Sequence, residues 1–363
     1  MRIRTLTDDD LQQRWDLSML GFGGDRSSPP SAGTPSHGVG AFDDTGRLVA
    51  KMVARPYQQW WCGRPVPMAG IAGVVVHPDG RGQGLVPRMT EVLLANAPEP
   101  VSVLFPTAPG VYRRMGWEVV GSLDETVLPV LGLPAGEQSV MLRGAVPADL
   151  DALRELYAAR GRTGSGLLTR IGTSFTSTVL DRDVVTVAEP DGEVTGYVAY
   201  DRGSYDAHRI WVRDCLGSTP EALSALVGSL GSWSALVDTM AWRGSTIDLQ
   251  LLLGFRVPAP SSVQPWMLRV LDPAAAILAR GFGLDATAAF GLAGAGHQLV
   301  VREGRGVLEP RPADGLPTLT PQGLALLFAG VGRALHRSGH ADRPVPELEA
   351  AFAGPPPEML DYF

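Results

Sequence analysis

Residues Gly70–Ala95, GIAGVVVHPDGRGQGLVPRMTEVLLA, decide the fold. The β-branched run Val74-Val75-Val76 reads as a buried strand, and His77-Pro78 leads out of it into a Gly-rich turn. From Leu85 onward, Leu85, Met89, Val92 and Leu93 recur at helical spacing. Strand, glycine loop and helix in that order place a helix N-terminus at the end of a strand. Gly82 and Gly84 let the backbone approach a ligand closely, and exposed amides with the helix dipole favour a pyrophosphate. Pro87 in the first turn is tolerated, because its missing N–H would have had no intrahelical partner. Arg81 adds charge toward phosphate. An ordinary strand–turn–helix also needs glycines for chain reversal. The complete unit, with its amphipathic helix, favours the phosphate-binding reading.

Around this unit, residues 1–131 read as alternating strands and helices. Thr7 caps a helix with Asp8, Asp9 and Asp10 in its first turn, continuing through Leu11, Trp15 and Met19. The Gly/Ser/Pro stretch Gly21–Gly40 is long for an idle connection and suits a binding loop or lid. Strands at Val39–Phe42 and Leu48–Arg55 turn at Asp43–Gly46, and a second hairpin joins Pro56–Trp61 to Val66–Val76 across Cys62–Pro65. Residues 132–264, after an apolar strand at Thr126–Leu131, repeat the plan without a glycine loop. They carry a helix at Pro147–Ala159, a hairpin Val184–Ala188 with Val194–Tyr200, a strand Arg209–Leu216 and a helix Pro220–Leu230. Residues 265–363 form a third block. It has a strand PWMLRVL, a helix after Asp272-Pro273, a strand at His297–Arg302 and helices at Pro321–Ala329 and Pro346–Phe352.

Composition bounds the function. At 363 residues the chain is long for one domain of ~100–200 residues. It is 45% hydrophobic and 19% charged, enough apolar material for several cores. A net charge of −7 excludes a general basic footprint for nucleic acid and favours cationic small molecules. No apolar run of ~18 residues suggests a membrane span, and MRIRTLTDDD is no signal peptide, so a cytoplasmic location is the default. Cys62 and Cys215 make no disulfide framework, and the six histidines show no metal-binding motif, so no metal is expected. Lys51 is the only lysine; with Gly 44 and Pro 30, that looks like a bias toward GC-rich codons.

Downstream of the glycine loop lies Phe105-Pro106-Thr107 and then Tyr112-Arg113-Arg114-Met115-Gly116-Trp117. On its own, Tyr112 reads as a packed aromatic with an exposed hydroxyl. The chain's last residues, Glu358-Met359-Leu360-Asp361-Tyr362-Phe363, follow Pro355-Pro356-Pro357. Three prolines stiffen that segment at ~3.1 Å per residue, and the aromatic end suits docking, whereas most termini fray. Burial of Phe363 would bring its α-carboxylate along and raise it from its usual ~3.3–3.7. A plain hydrophobic anchor with its carboxylate in solvent is the other reading.

Arg81-Gly82-Gln83-Gly84-Leu85-Val86 resembles the Q/R-x-x-G-x-G/A signature of the GCN5-related N-acetyltransferases (GNATs), with Val86 where the family has a small residue. The resemblance implies acetyl-CoA as cosubstrate. Amides from Gly82, Gln83, Gly84, Leu85 and Val86 would meet its pyrophosphate and the backbone of Val74, Val75 and Val76 its pantetheine arm. Tyr112 would protonate the leaving thiolate, with Thr107 a nearby hydroxyl. Over nearly its whole length the chain resembles the Eis (enhanced intracellular survival) acetyltransferases. That likeness implies an α+β architecture: a GNAT domain at 1–131, a second GNAT-like domain at 132–264 and a sterol-carrier-like α/β domain at 265–363. It also implies a homo-hexamer, an aminoglycoside-like polycationic acceptor and the Phe363 carboxylate as base. Asp25, Trp60 and Asp361 are candidates for the acceptor site, and Glu358, Asp361, Asp25 and Glu118 are alternative bases. Protein lysines or metabolite amines as acceptors, and a non-catalytic CoA- or lipid-binding protein, are the competing readings.

Overall fold

The computed structural model describes residues 1–24, 27, 36–95, 97–254 and 256–363. Asp25 lies outside the described residues. The first stretch contains β1 (Arg2–Thr5), α1 (Leu11–Phe22), β2 (His37–Phe42), β3 (Leu48–Trp61), β4 (Arg64–Val76), α2 (Leu85–Leu94), β5 (Val101–Leu104), α3 (Pro109–Arg113) and β6 (Glu118–Pro129). Then come β7 (Leu142–Gly144), α4 (Leu150–Thr163), β8 (Ser165–Leu168), β9 (Val184–Ala188), β10 (Gly196–Asp201), β11 (Arg209–Gly217), α5 (Pro220–Leu230), β12 (Thr239–Arg243), α6 (Thr246–Leu253) and β13 (Ser262–Val270). The last stretch has α7 (Pro273–Ala279), β14 (Ala286–Leu292), β15 (Ala295–Arg302), β16 (Arg305–Arg311), β17 (Thr318–Leu319), α8 (Pro321–Phe328) and α9 (Pro346–Phe352). Among the described residues no helix is long and apolar enough to cross a membrane.

One sheet of 13 strands runs through the first two stretches in the order β1-β2-β3-β4-β5-β13-β6-β12-β11-β10-β9-β7, with β8 on β3. Its two halves are stitched by β6, whose N-terminal part pairs with β13 and whose end pairs with β12. The expected strand at Thr126–Leu131 is thus the far end of a longer one. The expected break between 264 and 265 falls inside β13, which slots between β5 and β6 with Met267 opposite both Leu104 and Val119. The two expected strands around 48–55 and 56–61 are the single 14-residue β3. Pro56 interrupts nothing there: β2 has ended opposite Ala54 and β8 begins only opposite Gln59, so no ladder bond is lost on that edge.

Helix starts follow the sequence signals. The Thr7 N–H donates to the Asp10 carboxylate at 2.8 Å before α1. The Thr219 hydroxyl accepts from the Ala222 N–H at 3.2 Å as α5 begins. The second half echoes the first, with β11 parallel to β12 as β4 is to β5. The remaining strands form a separate sheet, β16-β15-β14-β17, packed on Leu324, Leu327 and Phe352 of α8 and α9. Helix α8 also turns Ala325 and Phe328 toward Trp61 and Trp266 of the large sheet. From α9 the chain returns to that sheet: the Glu358 N–H donates to the Ser165 carbonyl at 2.8 Å, and Met359 and Leu360 are buried.

Candidate active site

Strands β4 and β5 pair from Met68–Val101 to Ile71–Leu104 and no further; β5 stops while β4 runs on to Val76. Along its other edge β4 stays on β3, with Lys51 opposite Val75 but Val53 opposite Ala72. Gly73 and Val74 therefore share one partner residue, a β-bulge, and Gly73 adopts φ +58°, a conformation that favours glycine. Bulge and divergence open a V beside Ala72–Val76, whose backbone groups on that edge are placed to bond an extended ligand arm.

The strand leads into the glycine loop. Gly82 (φ +75°) and Gly84 (φ +63°) both use the left-handed region, and Gly84 caps α2. A Cβ at either would meet nothing within 4 Å, so the loop mouth is open. First-turn amides of a helix have no intrahelical partner, which makes this end an anion cradle. Arg81 and Gln83 are exposed, and the Gln83 side-chain amide donates to the Asp79 carbonyl at 3.0 Å. Leu85 turns its side chain into the core with Met89. Val86 packs its side chain with Val74 and Leu93 in the core, so its bulk does not fill the cradle.

Tyr112, on α3, packs edge-on to Trp117 (ring centroids 6.2 Å) beside Ala54, Ala69, Ile71 and Leu104. Burial pushes its phenol above the usual tyrosine range, which keeps the proton on. Its hydroxyl has no hydrogen-bond partner among the described residues. Side chains alternate across β4, and the opposite face carries Gly70, where the Phe363 ring sits 5.0 Å from Tyr57 and 5.5 Å from Phe105. A Cβ on Gly70 would come within 2.9 Å of that ring, so the glycine makes room for the chain end. Tyr112 and Phe363 thus flank β4 from opposite faces, next to the V.

Of the other proposed bases, the three among the described residues are engaged. Glu118 pairs with Arg113 at 2.7 Å, Glu358 with Arg160 at 2.6 Å, and Asp361 with Arg170 at 3.0 Å and the Tyr157 hydroxyl at 3.2 Å. Arg170 also holds Asp214; burial by itself lowers its pKa, but the charges of Asp214 and Asp361 outweigh that and hold it well above the usual value. Asp361 and Trp60 do share a cavity of about 140 Å³, but both also hold the tail. Trp60 packs against Tyr157, Leu167 and Leu360, and Asp361 closes the ionic network. The Phe363 carboxylate has no ion pair among the described residues. Thr107 is exposed and lines a separate opening with Phe105, Arg243 and Tyr362, on the side of the tail and not of the glycine loop. Gly73 and Lys51 lie beside the V and are not singled out by the sequence motifs. The bulge has no local signature, and a sole lysine in an arginine-rich chain signals codon bias as readily as a site.

The acetyltransferase (GNAT) domain family matches residues 2–120, and a second acetyltransferase (GNAT) domain family matches 172–270. An uncharacterized N-acetyltransferase of Streptomyces coelicolor is 29% identical over 244 residues, 61% of this chain and 59% of that protein's length. A GCN5-related N-acetyltransferase from Kribbella flavida has a similar solved structure, with TM-score 0.86, 28% identity and coverage of 100% of this chain and 98% of that one. Eis1 from Mycobacterium abscessus shares the fold over the full length of both chains, with TM-score 0.71 at 19% identity.

Proposed function

We infer that this chain, which carries two GNAT acetyltransferase domains, is an acetyl-CoA-dependent N-acetyltransferase whose first domain does the chemistry on a primary amine. The observation that carries the reading is the end of β4–β5 pairing at Ile71–Leu104, directly before a glycine loop that opens a helix. Acetyl-CoA fits there: amides of residues 82–86 face its pyrophosphate, and the free edge of Ala72–Val76 its pantetheine arm. The amine approaches from the face that holds Phe363. Its nitrogen attacks the thioester carbonyl, a C–N bond forms and the C–S bond breaks. The ammonium proton passes to the Phe363 carboxylate, and the departing thiolate takes the Tyr112 proton. Backbone amides at the bulge stabilise the developing oxyanion.

From the resemblance to the Eis family we further propose the arrangement 1–131, 132–264 and 265–363, with a sterol-carrier-like third unit, and a homo-hexamer, which native mass spectrometry tests. The same resemblance proposes an aminoglycoside-like acceptor. No unengaged acidic side chain on the tail supports a polycation, since Glu358 and Asp361 are both ion-paired. Thiol release from acetyl-CoA across aminoglycosides, polyamines, amino acids and lysine peptides is the test. Turnover with one class supports the reading, and no turnover with any amine overturns it.

A further inference from the structure

Lys51 is the chain's only lysine, yet β3 carries it inside: it is 7% exposed. It stands opposite Val75, whose side chain packs against Leu17 of α1. Its Nζ lies 3.4 Å from where a Cβ on Gly73 would be, so the amine hangs over the β3–β4 bulge, two residues past the last β4–β5 pair. Arg55 shares that face of β3, stands opposite Gly70 under the Phe363 ring, and has a buried Nε without a partner. Burial first, and then the positive charges of Arg14 and Arg55, hold the Lys51 pKa down at about 8. Among the described residues no carboxylate forms an ion pair with Lys51, Arg55 or Arg14.

Desolvating a cation with no partner is costly, and crowding like charges adds to the cost. The tail's Asp361 comes near Tyr57 on this face, but Arg170 holds it, leaving an excess of positive charge where the amine is to be acetylated. A polycation entering there meets repulsion. A molecule carrying a carboxylate beside its amine relieves the excess and satisfies donors that lack acceptors.

We propose that Lys51, with Arg55, forms an anion-recognising subsite that takes the carboxylate of the acceptor, so that the acceptor is an amino-acid-like amine. The proposal rests on the acetyltransferase reading and names the acceptor class of that same site.

Having one lysine makes a direct test possible. In the full chain labelled at lysine Cε, the side-chain signal comes from Lys51 alone. Adding N-acetylphenylalanine should shift that signal and raise its titration midpoint, whereas the methyl ester of the same compound should not. No response to the acid overturns the subsite. A response to inorganic phosphate but not to carboxylates overturns its assignment to carboxylates. In turnover, phenylalanine should exceed phenethylamine in kcat/KM by about tenfold or more. Lys51→Met should abolish that preference and Lys51→Arg should restore it. Equal turnover of the pair, a better aminoglycoside, or a Lys51→Met variant that keeps the preference sinks the proposal. If amines turn over but the lysine signal ignores every acid, the subsite alone falls. If the signal answers acids and no amine turns over, the acetyltransferase reading falls instead.

Discussion

Adding one glycine after Phe363 isolates the role of the terminal carboxylate. The tail's anchors all lie upstream of the addition: Met359 and Leu360 are buried, the Leu360 carbonyl accepts from Arg243 at 3.1 Å, and Asp361 pairs with Arg170. The Phe363 ring keeps its place over Gly70 between Tyr57 and Phe105. Stability should therefore change by no more than about 0.5 kcal/mol, as for a surface alteration. The carboxylate, however, moves by one residue, about 3.3–3.6 Å of extended chain. Proton transfer requires heavy atoms about 2.6–3.2 Å apart, so that displacement takes the base out of reach. General-base catalysis is worth about 10²–10⁴-fold, or about 2.7–5.4 kcal/mol of barrier. Thiol release from acetyl-CoA should fall by that factor with the Tm and CoA affinity unchanged. An extended chain that turns over within about threefold of the parent would refute the carboxylate base.

Tyr112→Phe removes a hydroxyl with no partner in the fold, so folding and CoA binding should hold while kcat falls about 10²–10⁴-fold; an unchanged kcat removes the acid. Gly84→Val puts a β-branched side chain at φ +63°, which should cost about 1–2 kcal/mol in a denaturation curve and raise the KM for acetyl-CoA. For Lys51, the folded pKa of about 8 lies below the unfolded value of about 10.4. Between those pH values the unfolded chain binds more protons, so stability should rise with pH relative to Lys51→Met, and the cost of burying the charge is present in full below pH 8. Parallel urea titrations at pH 7 and pH 10 check this; a difference between parent and variant that does not change with pH contradicts it.

Local chemistry made much of this protein legible in its sequence. The unit from Val74 to Leu93 declares itself because strand, loop and helix each carry a short-range signal: β-branching, glycines with positive φ, and apolar residues at helical spacing. Helix α5 sits where Thr219-Pro220 announces it, and the docking tail was readable from prolines followed by Leu360, Tyr362 and Phe363, although Tyr362 stays exposed and Met359 is the buried anchor beside Leu360. The insertion of β13 between β5 and β6 was not, because a strand's partners are chosen by shape and burial across the chain and leave no mark in its own residues. The same holds for the site. The glycines could be named from their place between strand and helix, and Tyr112 only through the resemblance to the acetyltransferase family. That Asp361 is spent on Arg170, and that Lys51 is buried over the Gly73 bulge near other cations with no ion pair to a carboxylate among the described residues, follows only from tertiary packing. Sequence fixes which charges exist; desolvation and distance, which only the folded chain sets, decide what those charges do.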